Sequence, residues 1–206
     1  MPLKIQMFSD FICPFCYIGF EVARKLKPEF DIELEWRGFE IHPEWPAEGM
    51  PAERFYQSFG PERRRAVWQT IHALADEIQL PMKAPKIMSN SRLALEATEF
   101  AAESNLGEVF EERVYRAYFT EDANIGDPAV LQALAREVGL DPVAMEEALR
   151  SRKYELKLGN TAIAAHSRDV TGVPTFFIGE FPLVGAQSVD VMRRVLKRAV
   201  ERLGTV

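Results

Sequence analysis

The sequence predicts an α/β fold whose sheet is interrupted in the chain by an all-helical insertion, and three observations predict it. The opening segment reads as strand, helix and strand; residues 46–157 read as one helix after another; the remainder returns to helix, hairpin and helix. Neither end holds enough strands for a sheet alone, so the two must complete each other. The expected division is a discontinuous α/β domain of residues 1–45 and 158–206, flanking an insertion domain of residues 46–157.

Taking the elements in order, residues Leu3 to Phe8 alternate apolar and polar side chains with the period of a strand. "CYIGFEVARKLKPEF" then carries Tyr17, Ile18, Val22 and Leu26 at helical spacing. "DIELEWRGFEI" sets Ile32, Leu34 and Trp36 on one strand face, which makes a strand-helix-strand unit of the kind that builds a parallel pair. In the insertion, Val67, Ile71, Leu74, Ala75 and Ile78 form one stripe, and Leu93, Ala97, Phe100 and Ala101 form a second. Val109, Phe110, Val114, Ala117 and Tyr118 mark a third helix. Two more helices open on Asp-Pro, with Asp127 or Asp141 as N-cap and proline at the first helical position. "YELKLGNTAIAAHSRDV" reads as helix, "TFFIGE" and "FPLVG" as a hairpin, and "SVDVMRRVLKRAVERLG" as a closing amphipathic helix.

At 206 residues, 47% apolar and 27% charged, the chain is able to bury a sizeable core without covalent staples. Its 25 basic and 31 acidic residues are interspersed and give a net charge of -6, so no basic field exists to attract phosphate backbones and no nucleic-acid partner is expected. No run of about 18 uncharged apolar residues occurs, and "MPLKIQMFSD" lacks the apolar stretch and small-residue cleavage site of a leader. The expectation is a cytoplasmic protein with no membrane partner. In that compartment thiols are kept reduced, so a close cysteine pair points to redox chemistry rather than to a staple.

The chain has two cysteines, and they stand three apart in "MFSDFICPFCYIGF", where the first strand meets the first helix. A helix N-terminus presents unpaired N–H groups and the positive end of the macrodipole, which favours a thiolate over a thiol. In Cys-X-X-Cys sites at helix starts the thiol titrates at roughly 3.5 to 7.5 instead of about 8.5. Cys13 is the residue that gains, and Cys16, one turn on, is near enough to close a disulfide and expel whatever Cys13 has attacked. Pro14 suits the first turn, because its missing N–H costs nothing there. The second feature is "TGVPTFFIG": Pro174 enters an apolar strand, a position that suits a bend or a cis peptide bond.

Strand, C-x-x-C at a helix start, strand, helix, Val-Pro-Thr entering a hairpin and a terminal helix follow one another in the thioredoxin order, and the chain resembles that superfamily. It is most similar to DsbA-like thiol-disulfide oxidoreductases of the cytosolic FrnE-type branch. "SDFICPFCYIG", "SNSRLALEATEFA", "AYFTEDANIGDPAVL" and "GVPTFFIGEFPLVGAQ" carry the resemblance. It implies a thioredoxin fold with an all-helical insertion, Cys13 as nucleophile, Cys16 as resolving thiol, cis-Pro174 facing the disulfide, and a Val173 backbone that pairs with an extended substrate segment. The implied partners are protein or peptide thiols and disulfides, with glutathione a candidate redox partner; no cofactor is implied beyond the redox-active Cys13–Cys16 disulfide.

Two departures bear on mechanism. Many thioredoxin-like proteins carry a buried acid six residues before the first cysteine, where this chain has Met7, so proton transfer from the resolving thiol must use water or another group. Pro14 and Phe15, the pair that tunes the redox couple, lack the histidine of strongly oxidising periplasmic relatives, which sets the expected potential between roughly -120 and -270 mV.

A zinc site needs about four ligands, and His42, His72 and His166 are scattered, so no metal is expected. His72 and His166 read as structural, His42 and Asp10 as turn or cap residues, Arg63 to Arg65 as a solvated helix face, and Phe55, Tyr56 and Phe59 as core in preference to the lining of a substrate groove. Two rival functions remain. Kappa-class glutathione transferases and 2-hydroxychromene-2-carboxylate isomerases are similar over their whole length but use a serine hydroxyl, with glutathione, where Cys13 stands. A non-enzymatic holdase gripping unfolded segments would survive loss of both cysteines.

Overall fold

The computed structural model describes residues 2–203. Strand β1 (Leu3–Ser9) leads into helix α1 (Pro14–Phe30), and strand β2 (Ile32–Gly38) returns parallel to β1, pairing Leu3 with Ile32 through to Ser9 with Gly38. The insertion then runs β3 (Met50–Pro51), α2 (Ala52–Tyr56), α3 (Pro61–Glu77), β4 (Ile87–Met88), α4 (Arg92–Glu103), α5 (Gly107–Phe119), α6 (Pro128–Glu137) and α7 (Pro142–Arg150). Helix α8 (Glu155–Ser167), the hairpin of β5 (Thr175–Ile178) and β6 (Phe181–Val184), and α9 (Val189–Leu203) close the chain. The four-stranded sheet has the order β2-β1-β5-β6, with β5 antiparallel to both of its neighbours. The two ends of the chain thus build one sheet, the architecture of a thioredoxin fold carrying a largely helical insertion.

β1 is central, which explains its composition. A strand paired on both edges and covered on both faces needs apolar side chains in both directions, and from Met7 onward β1 is buried without alternation. Above it lies α1, whose stripe of Ile18, Phe20, Val22, Ala23 and Leu26 faces the core. Gly19 sets the closeness of that contact: a Cβ there would meet the Phe176 ring at 2.9 Å and Pro174 at 3.4 Å. Phe176 is fully buried and has nowhere to go. Gly19→Ala is expected to lower stability by about 1–3 kcal/mol through overpacking, read as a reduced midpoint in urea unfolding. An unchanged midpoint would contradict the tight packing.

The insertion is anchored to the sheet layer by an aromatic cluster rather than by backbone pairing. Tyr115 of α5 stacks on Tyr17 with centroids 5.0 Å apart, meets Phe11 edge-on at 4.8 Å, and Phe11 in turn stacks on Trp36 of β2 at 4.9 Å. Such pairs add about 0.5–1.5 kcal/mol each beyond their burial.

Three details differ from expectation. β3 and β4 pair antiparallel through Met50–Met88 and Pro51–Ile87, so the insertion is not purely helical. α8 begins at Glu155 and runs across the expected boundary at 157/158. Val67 and Val109, assigned to apolar stripes, are 37% and 49% exposed, whereas Ile71 and Phe110 of the same stripes are sealed. The Asp-Pro starts do cap their helices: Asp127 accepts from Ala129 N at 2.8 Å and Asp141 from Val143 N at 2.9 Å.

Candidate functional site

Cys13 is the N-cap residue of α1, in extended conformation, with no side-chain capping bond and with Pro14 following in the first turn. Its carbonyl accepts the N–H of Cys16 at 3.0 Å, so the helix winds the second cysteine back over the first. Both are free thiols. They differ in access: Cys13 is 8% exposed, and Cys16 is sealed at 0%.

Burial pushes the Cys16 thiol well up, and the Cys13 sulfur beside it acts in the same direction. The Ser9 hydroxyl and the Asp10 backbone oppose that rise. Ser9 is the last residue of β1, and its Oγ lies 2.5 Å from the Tyr115 hydroxyl. The Trp36 indole N–H is buried with no hydrogen-bond partner, and burial pushes the nearby Tyr115 hydroxyl well up. Ser9 and Tyr115 thus form a buried hydroxyl pair on the side of the sealed sulfur. Met7 is fully buried and apolar.

Asp10 does not cap α1. It stands three residues before the N-cap, too far back to reach the first helical N–H groups, and instead ties two loops together by accepting from Ile12 N at 3.3 Å and Ile41 N at 2.8 Å. Burial raises its carboxyl to about 6, against the pull of the Ile41, Ser91 and Ile12 donors, and nearby Glu40 raises it further. Opposite the cysteines, the Cys13 thiol reaches the Val173 carbonyl at 3.6 Å. The Val173–Pro174 peptide bond is cis. The Pro174 carbonyl is held by Gly185 N at 2.8 Å, and the Thr175 hydroxyl closes the turn on Gly172 O at 2.7 Å.

Cys13, Pro14 and Phe15 border a cavity of about 190 Å³ roofed by the insertion. Its far wall is aromatic: Phe55, Tyr56 and Phe59 are half-buried there rather than locked in the core, with Trp68 and His42 beside them. His42 stacks on Trp45 at 4.1 Å and hydrogen-bonds Glu44 at 2.8 Å. His72 lies over Trp68, and the His166 ring bonds the Ala162 carbonyl within α8. Among the described residues no group of three or more His, Cys, Asp or Glu side chains is placed to hold a metal ion, and no helix is long and apolar enough to cross a membrane.

A family model described as a DSBA-like thioredoxin domain matches residues 4–197. The chain belongs to this family. A protein of Bacillus subtilis named as the uncharacterized protein YwbO is 36% identical over 203 residues, spanning 95% of this chain and 96% of the relative. A 2-hydroxychromene-2-carboxylate isomerase of Sphingobium xenophagum is 24% identical over 202 residues, or 95% of this chain and 99% of the isomerase. Among solved structures, a probable DsbA oxidoreductase from Streptomyces coelicolor superposes with a TM-score of 0.85 at 24% identity, covering 95% of this chain and 89% of that one. The DsbA-like fold accounts for what the structure brings together: the helix-start cysteines, the Val173–Pro174 turn and the roof of the insertion. Sequence reasoning missed Ser9 and Tyr115, which lie 106 positions apart. It also missed the role of Ile41 N as the anchor of Asp10.

Proposed function

We propose that the protein is a cytoplasmic thiol-disulfide oxidoreductase acting on protein or peptide substrates, with Cys13 as nucleophile and Cys16 as resolving thiol. One observation carries this reading: the two sulfurs share the first turn of α1, one opening on a cavity and the other fully sealed. Attack on a substrate disulfide forms a bond from Cys13 to one substrate sulfur and releases the other as a thiolate, which takes up a proton. Cys16 then attacks Cys13 Sγ, the mixed disulfide breaks, and the second substrate thiol leaves. The enzyme is then oxidised and the substrate reduced by two electrons. The reverse sequence delivers a disulfide by the same steps.

The Val173 backbone, whose carbonyl meets the Cys13 thiol, offers an extended substrate segment a pairing partner, with Pro174 following it through the cis bond. Pro14 and Phe15 tune the couple by completing the first turn without a titratable group between the sulfurs. Glutathione serves as the small-thiol redox partner, and no metal or organic cofactor takes part. The test is reduction of insulin disulfides with a thiol regenerant; turnover supports the reading, and its absence in both reducing and oxidising assays contradicts it. The rival isomerase reading needs a serine hydroxyl where this chain has Cys13.

Resolution places negative charge on the Cys16 sulfur, which is sealed from solvent, and the Ser9 hydroxyl steadies that charge while the proton passes to the departing substrate thiolate. Ser9→Ala is expected to slow decay of the mixed disulfide roughly tenfold, the loss of about 1.4 kcal/mol of one hydrogen bond to a developing charge, with initial attack by Cys13 unaffected. Quench-and-alkylate mass spectrometry separates the two steps. Equal slowing of both would contradict the assignment.

A further inference from the structure

The cavity beside Cys13 is lined almost wholly by apolar and aromatic side chains, and Arg64 is the one permanently charged residue among its lining. Arg64 belongs at the same time to an adjoining open cleft of about 610 Å³, which Arg65, Trp68 and His72 also border. The guanidinium carbon lies over the Tyr56 ring, 4.1 Å from its centroid, and the Tyr56 hydroxyl in turn accepts from the Trp68 indole N–H at 3.0 Å. Among the described residues, neither Arg64 nor its neighbours Arg63 and Arg65 has a carboxylate within ion-pair distance, whereas Arg24, Arg92, Arg113 and Arg193 are all paired. Glu53 is the single acid bordering the cleft, and no ion pair joins it to Arg64. A stacked, pre-oriented guanidinium with unused donors at the mouth of an apolar cavity fits a carboxylate tethered to an apolar group.

We propose that this surface selects the substrate segment: an extended polypeptide with a large apolar residue beside its reactive cysteine and an acidic residue beyond it. The apolar side chain fills the aromatic cavity next to Cys13, and the acid pairs with Arg64 at the cleft. This inference rests on the thiol-disulfide reading and names the substrate class for it. Charge decides between a local and a general effect. The chain carries a net charge of -6, which repels an acidic segment at long range, so a preference for acid has to come from this arginine face.

The experiment uses the reduced full-length protein and 2-pyridyl disulfides of short peptides with Phe beside cysteine and Glu, Gln or Lys beyond it. Cys13 bonds to the peptide sulfur, the peptide–pyridyl disulfide breaks, and 2-thiopyridone leaves with the electron pair, takes up a proton and is read by absorbance. The Glu peptide is expected to react about tenfold faster than the Lys peptide at low ionic strength, with the gap shrinking as salt is added. In Arg64→Gln that gap should close, while Arg136→Gln, at an exposed position of α6, should keep it. Persistence of the preference in Arg64→Gln, or no preference in the wild type, overturns the inference. A preference unchanged when Phe is replaced by Ala assigns the cleft to small anions and overturns it as well. The pyridyl disulfide of 2-mercaptoethanol, neutral and without an acid, reports the redox reading separately; failure of the wild type to react with it overturns that reading and this one together.

Discussion

Cys13→Ser is expected to abolish disulfide exchange, whereas Cys16→Ser should still attack substrates and accumulate mixed disulfides that it cannot release. The asymmetry follows from access. Cys13 stands at the helix start on the edge of the cavity, and Cys16 is fully buried one turn later, beside the Cys13 sulfur and out of reach of a substrate. A serine hydroxyl does not displace a sulfur, so removal of Cys13 leaves no nucleophile that a substrate can reach. Removal of Cys16 leaves the nucleophile and deletes only the exit step. Non-reducing gels after incubation with a disulfide substrate check this: the Cys16→Ser lane should hold stoichiometric adducts and the Cys13→Ser lane none. The opposite pattern would exchange the two roles.

A second large effect lies away from the site. Glu111 on α5 is buried, with its carboxyl raised to about 8 chiefly by that burial, with Glu108 adding to the rise and Lys27 opposing it. A carboxyl raised in the folded state holds its proton more tightly there than in the unfolded chain. Its contribution to stability is therefore fully present below about pH 4.5, and is lost as pH rises toward and through about 8. At about 1.36 kcal/mol for each pKa unit between 4.5 and about 8, the loss is on the order of 5 kcal/mol. Glu111→Gln, which keeps the shape without the titration, is expected to match the wild type near pH 5 and to exceed it by about that amount near pH 9. Urea unfolding at the two pH values measures it, and parallel stability profiles for the two proteins would contradict the burial argument.

Much of this was legible in the chain, for reasons that differ by element. α6 and α7 announce themselves by a cap, a proline and a stripe, three local signals that agree, and their observed starts at Pro128 and Pro142 fall where those signals put them. The sheet needed one non-local step, the joining of the two ends, and the parallel β1–β2 unit supplied it. α2, β3 and β4 were not legible, because segments of five and two residues are shorter than the period that reveals them. The cysteine pair stands out through spacing alone. The groups around it do not: Ser9 meets Tyr115 only after α5 has docked on α1, and nothing local to either residue records that contact. For the same reason Phe55, Tyr56 and Phe59 read as core. Whether an aromatic stripe is sealed or lines a cavity depends on what the neighbouring helices leave uncovered.

The central claim is that Cys13 and Cys16 form one reversible two-electron couple. Equilibration of the purified protein in glutathione redox buffers, followed by acid quench, alkylation and intact-mass analysis, tests it most directly. The account predicts two alkylated thiols in the reduced protein, none in the oxidised protein, and a single transition between them at a potential between roughly -120 and -270 mV. Two thiols that alkylate alike across the whole range of buffers, with no intramolecular disulfide formed, would contradict it.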